Sequence, residues 1–98
     1  MISEIEAWFS SVGFVYMLLS GQWIGRPKDN IYTLKKCYQR EEALVLDLGE
    51  GWEIECTGNL SLNKASKELT IFSDSVQLLI DGKVSEVGSS GEVKFFIE

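Results

Sequence analysis

The most regular alternation of apolar and polar positions runs from Ala43 to Thr57. Leu44, Leu46 and Leu48 recur at every second residue, Gly49-Glu50-Gly51 interrupts them, and Trp52, Ile54 and Cys56 resume the pattern. A period of two marks strands with one buried face, and a three-residue loop with a left-handed glycine is a common hairpin connection. The pattern predicts Leu48 opposite Trp52, Leu46 opposite Ile54 and Leu44 opposite Cys56, all six on one face. Val45, Asp47, Glu53 and Glu55 fall on the other. A slip of one residue would carry one strand's apolar set into water, so this register is strongly specified.

Near the N-terminus the period changes. Ile5, Trp8, Phe9 and Val12 fall at i, i+3, i+4 and i+7, one face of a helix. Ser3-Glu4-Ile5-Glu6 has the form of a capping box, and Gly13 suits the residue just past the helix end. Phe14 to Leu19 then reads as a strand buried on both faces. A helix continuing to Leu19 competes with this reading, because Val12, Val15, Tyr16 and Leu19 keep helical spacing. The mid-helix glycine and the Phe, Val and Tyr favour the strand.

Ser20 to Asn30 reads as a loop and Ile31 to Tyr38 as a strand, with Tyr32, Leu34 and Tyr38 on one face and a bulge at Lys35-Lys36. Gly58 to Lys67 is polar and turn-rich. Leu69 to Phe72 and Val76 to Ile80 read as strands. Asp81-Gly82 is a hairpin turn, Val84 to Val87 a short strand, Gly88 to Gly91 a flexible turn, and Glu92 to Glu98 a terminal strand. Turn signals about every ten residues indicate an antiparallel fold. The expected architecture is α+β, mainly antiparallel β: one domain over 1–98, a twisted sheet or half-open barrel of about six strands with a short N-terminal helix.

Composition narrows the chemistry. With 98 residues and 45% hydrophobic content, the chain is able to bury about 65% of its unfolded surface, enough for one core. There is no histidine, which excludes Ser-His-Asp and Cys-His catalysis and His-containing zinc sites. Two cysteines, Cys37 and Cys56, form no CxxC motif and read as free thiols of a reducing compartment. In the expected register they point to opposite faces. No metal site or cofactor is expected. The net charge of −6 opposes binding to nucleic acid and anionic lipid. Phe14 to Leu19 is too short for a membrane span, and no basic stretch precedes it as in a signal peptide. The expected location is the cytoplasm.

The densest cluster of special residues is Trp23-Ile-Gly-Arg-Pro-Lys-Asp-Asn30. Arg26 offers a planar fork for a carboxylate or phosphate, and Asp29 and Asn30 are able to organise the turn through side-chain to backbone bonds. An anion site on a rigid loop is one reading. A structural corner, with Arg26 paired to Asp29 and Asn30 capping the turn, is the other. The string resembles the W-x-G-R-P-x-D-N stretch of small uncharacterised bacterial proteins, some of them immunity-like in size and acidity. Those proteins often carry a histidine after the D-N pair, where this chain has Ile31 and Tyr32. The resemblance implies further strands after the string and no specific activity.

Asp47 and Glu53 are expected side by side on the outer hairpin face with Glu55 beside them, an arrangement unfavourable by itself. Either a basic partner binds there, or the neighbouring strand neutralises them. Pairing Tyr38 with Leu44 and Leu34 with Leu48 would bring Lys35 opposite Asp47. The functional expectation is a small acidic, non-enzymatic protein-binding domain, an inhibitor or immunity-type protein for a basic partner, using Asp47, Glu53 and Glu55. The alternatives are a subunit self-associating through Phe96 or another apolar edge, and a small-ligand or anion-binding domain using Trp23, Arg26, Asp29 and Asn30.

Overall fold

Gly13 stops the N-terminal helix. Helix α1, Ile2–Val12, ends where Gly13 takes φ 81° and donates its N–H to the Phe9 carbonyl, a backbone conformation that costs glycine little. The helix begins before the expected capping box. Ile5 N–H bonds the Met1 carbonyl, so Ser3 lies inside the first turn and no side chain caps it. Ile5, Trp8 and Phe9 are buried as the spacing predicts.

The computed structural model describes residues 1–98. After α1 come β1 Tyr16–Leu19, β2 Gln22–Trp23, β3 Lys36–Arg40, β4 Ala43–Asp47, β5 Trp52–Thr57, β6 Ser61–Lys64, β7 Glu68–Phe72, β8 Ser75–Ile80, β9 Lys83–Val87 and β10 Glu92–Phe96. They form two antiparallel five-stranded sheets, ordered β2-β1-β10-β7-β6 and β3-β4-β5-β8-β9. The mainly antiparallel architecture with a short helix is as expected. The strands number ten rather than six, and the sheets are not closed into a barrel.

Eight of the ten fall on runs that the sequence pattern marks, and β2 and β6 are the additions. Three long stretches each cross a corner from one sheet to the other and are broken there: β5 into β6, β7 into β8, and β9 into β10. The β8–β9 register at Gln77↔Val87 continues through the corner into Phe72↔Glu92 of β7–β10 without a shift. Backbone bonds from Gly88 to Val76 and from Ser73 to Gly91 stitch it there. At the other corner, Asn59 N–H donates to the Asp74 carboxylate at 3.1 Å. Strands commonly change sheets through such bends. The polar stretch Gly58 to Lys67 therefore contains a strand, β6, and the loop Ser20 to Asn30 contains the short β2.

One core fills the space between the sheets. Met17, Ile71 and Phe95 come from the first sheet, Leu46, Ile54 and Leu78 from the second, and the helix adds its apolar face. Trp8 Nε1–H donates to the Ala65 carbonyl at 2.8 Å, fixing α1 to the β6–β7 turn. The central hairpin has the predicted register: Leu46 faces Ile54, Leu44 faces Cys56, and Leu48 N–H bonds the Trp52 carbonyl at 2.8 Å.

Two expected strands are different. Phe14 to Leu19 is buried on one face only: Val15, Met17 and Leu19 point inward, whereas Phe14 is 50% exposed and Tyr16 and Leu18 are half-buried. The strand expected over Ile31 to Tyr38 begins at Lys36. Tyr32 instead bridges to Val15, so Ile31 to Lys35 carries the chain between sheets and the parity of β3 is reset. Cys37 opposes Leu46 and faces the core, Tyr38 opposes Val45 and faces outward, and Lys36, not Lys35, stands opposite Asp47. No bulge occurs at Lys35-Lys36; the register shift lies in β8–β9, at Leu78/Leu79. Cys37 and Cys56 thus share the inner face, contrary to expectation. They are nonetheless free thiols, on strands separated by the full width of β4.

Candidate functional site

The Trp23 to Asn30 string closes on itself through short-range bonds. Asn30, at φ 60°, accepts the Arg26 N–H on Oδ1 at 3.0 Å. Asp29 Oδ1 accepts the Ile31 N–H at 3.2 Å. Gly25 is required for space, because a Cβ there would stand 2.7 Å from Asn30 Oδ1. Tyr32 then anchors the loop: its hydroxyl donates to the Ile24 carbonyl at 3.0 Å. Burial pushes this phenol up to about 12, opposed by the positive field of Arg26.

Arg26 does not pair with Asp29. Its side chain turns inward, only 10% exposed, and spans to the β4–β5 turn. Nη1 donates to the carbonyls of Leu48 at 3.2 Å and Ile31 at 3.4 Å, and Nη2 to Gly49 at 2.5 Å. The guanidinium lies over the Tyr32 and Trp52 rings, 5.2 and 5.4 Å from their centroids. Glu50 approaches Nη2 at 3.6 Å from solvent, 72% exposed. Arg26 is therefore a cationic pin between loop and hairpin, beside a cleft of about 420 Å³ that Lys28, Thr33 and Trp52 also line.

The acidic hairpin face is partly compensated by its own neighbours. Asp47 and Glu53 do stand opposite each other. Asp47 Oδ1 accepts the Gly49 N–H at 2.9 Å. Arg40 bridges Glu53 at 3.3 Å and Glu55 at 3.2 Å. Tyr38 donates its hydroxyl to Glu53 at 3.1 Å, and Gln77 its amide to Glu55 at 2.7 Å. Lys36 lies over the Tyr38 ring, 4.8 Å from its centroid. The neighbouring strand thus supplies the compensating charge, through Arg40 rather than Lys35. No three acidic or cysteine side chains converge as a metal site would require.

Trp23 belongs to another surface, one that no local pattern in the sequence brings together. On the outer face of the first sheet, Tyr16 stands opposite Phe96, and Trp23 opposite Leu18 on the adjoining strand. The Tyr16 ring lies 5.5 Å from Trp23, 5.7 Å from Phe96 and 6.4 Å from Phe14. Trp23 is 46% exposed. Phe96 is expected at an apolar edge, but its strand β10 lies between β1 and β7 in the middle of the sheet, and its proximity to Tyr16, 80 positions away, has no signal in the sequence. Alternation in Phe14 to Leu19 would have signalled the patch, but every residue there is apolar.

The two thiols are the nucleophiles of the core. Burial pushes Cys37 up to about 11 and Cys56 to about 12, with nearby carboxylates adding to the rise. Both are protonated and inert at neutral pH. No family model matches the chain, and no curated protein or solved structure matches it either.

Proposed function

We propose that this chain is a non-enzymatic protein-binding domain whose contact surface is the outer aromatic face of the first sheet. The observation that carries this reading is the Phe14, Tyr16, Trp23 and Phe96 cluster, with two rings about half exposed on a sheet face that nothing covers. Large aromatic side chains gathered at a surface supply most of the energy of protein contacts at small entropic cost. The partner is basic, because a net charge of −6 attracts a cationic protein over distance. An inhibitor or immunity-type role in the cytoplasm fits that size, charge and pair of free thiols. Glu53 and Glu55, already held by Arg40, contribute to the long-range field rather than to anchoring.

Affinity capture from the native host tests the reading. The wild-type chain, a Phe14→Ser/Trp23→Ser variant and a Glu53→Gln/Glu55→Gln variant are compared by quantitative mass spectrometry. A partner lost only with the aromatic variant supports it. A partner lost only with the Gln variant moves the site to the hairpin face. The position of Phe96 in the cluster also favours a second reading, self-association through this face. Sedimentation of the wild-type chain as a dimer, and of the aromatic variant as a monomer, would establish it.

A further inference from the structure

We propose that the cleft beside Arg26 binds a small planar organic carboxylate, independently of the aromatic face. The guanidinium has five N–H donors. Two Nη1 donors and one Nη2 donor reach the carbonyls of Ile31, Leu48 and Gly49. The Nε–H and the second Nη2–H have no hydrogen bond. Nε is the one buried side-chain polar atom in the protein without a partner, and the nearest acid, Glu50, stands at 3.6 Å from Nη2. Nε is closed off from solvent and shares one edge of the planar group with Nη2, so a carboxylate that replaces Glu50 at Nη2 stands next to it, in the side-on arrangement that a guanidinium offers to two oxygens.

The surroundings favour an organic acid over a bare anion. The bound carbonyls and the Tyr32 and Trp52 rings hold the guanidinium in place, so its charge is fixed before a ligand arrives. The cleft of about 420 Å³ falls within the size range of small-molecule sites. The half-buried Trp52 indole lines it as an apolar surface for a flat ring system. Lys28 and Asp29 line it too; Lys28 makes no ion pair with any acid, so a second cation faces the same space, whereas one Asp29 oxygen already accepts the Ile31 N–H. Glu50, mostly exposed, is the competitor: an entering carboxylate reaches the fork through Nη2 and displaces it toward solvent.

The competition gives the test a sign that a nonspecific surface would not show. Indole-3-carboxylate is titrated into the ¹⁵N-labelled protein, with indole-3-carboxamide and inorganic phosphate as controls. The expected shifts are at the Trp52 indole N–H and the amides of Thr33, Gly49 and Glu50. Loss of a charge-assisted pair predicts binding about tenfold weaker for the carboxamide and about fivefold weaker for Lys28→Ala, while Glu50→Gln binds about threefold tighter. Carboxamide binding as tightly as carboxylate, weaker binding by Glu50→Gln, shifts confined to other regions, or no shifts at all would overturn the proposal. Phosphate binding as tightly as the organic acid would overturn the ligand class.

Discussion

At the scale of single residues, Arg26 separates what is readable in a sequence from what is not. Its importance was visible, in a loop with two glycines and the only proline. Its partners were not, because they are backbone carbonyls up to 23 positions away and a carbonyl carries no sequence signature. The nearby Asp29 was the only acid in reach of local reasoning, yet it serves the Ile31 N–H. The structural half of the expectation keeps its consequence. Arg26→Ala removes charge-assisted bonds and two ring contacts, and should lower unfolding free energy in urea by about 2–4 kcal/mol. Arg26→Lys should recover only part, since an ammonium lacks the planar fork.

The thiols make a second prediction at this scale. Cys37 and Cys56 should not react with a thiol reagent at pH 8 in the native protein, and both should react once it is unfolded in urea. The sign of the pH effect follows from linkage. Their pKa values rise from an ordinary 9.0 to about 11 and about 12 in the fold. The stability gained by burying them neutral is complete below about pH 9 and declines as pH climbs toward those folded values. Urea midpoints should therefore fall between pH 9 and 11, and less steeply for Cys37→Ala/Cys56→Ala.

Among the elements, the β4–β5 hairpin was the most legible, and for a physical reason. One face is apolar throughout, the other carries three acids, and the connecting turn is three residues long, so only one register satisfies both faces. The strand before it departs from its pattern because Tyr32 leaves the sheet to bridge Val15. That excursion resets the alternation, and local spacing has no record of it. The corners resemble turns in sequence for a similar reason: Gly58, Ser73 and Gly88 break the pattern whether the chain reverses or merely bends. Leu46, fully buried beneath the hairpin, should cost about 2–5 kcal/mol when replaced by Ala. Arg40→Ala, losing a half-exposed ion pair on the opposite face, should cost no more than about 1 kcal/mol. Urea denaturation of the two variants checks the contrast.

For the whole molecule, the two faces divide the work in the proposed function. The second sheet, with Glu41, Glu42, Glu50 and Asp81 in its turns, supplies field and the aromatic first sheet supplies contact. The apolar surface was hidden in the sequence because Phe14 to Leu19 is apolar at every position, and composition cannot tell a strand covered on both faces from one covered on one. Association with a basic partner should accordingly speed up as salt falls, because the Debye length grows from about 8 Å at 0.15 M to about 30 Å at 0.01 M. Glu53→Gln/Glu55→Gln should reduce that salt dependence and leave the dissociation rate nearly unchanged, as stopped-flow mixing would show. Phe14→Ser/Trp23→Ser should instead raise the dissociation rate.

The most direct measurement is the amide hydrogen-exchange footprint of the captured partner on this chain. The account predicts new protection at Tyr16 to Trp23 and Lys94 to Phe96, with Lys36 to Arg40 and Trp52 to Thr57 unchanged. Protection confined to those two hairpin-sheet segments, with the aromatic strands exchanging as in the free protein, would contradict it.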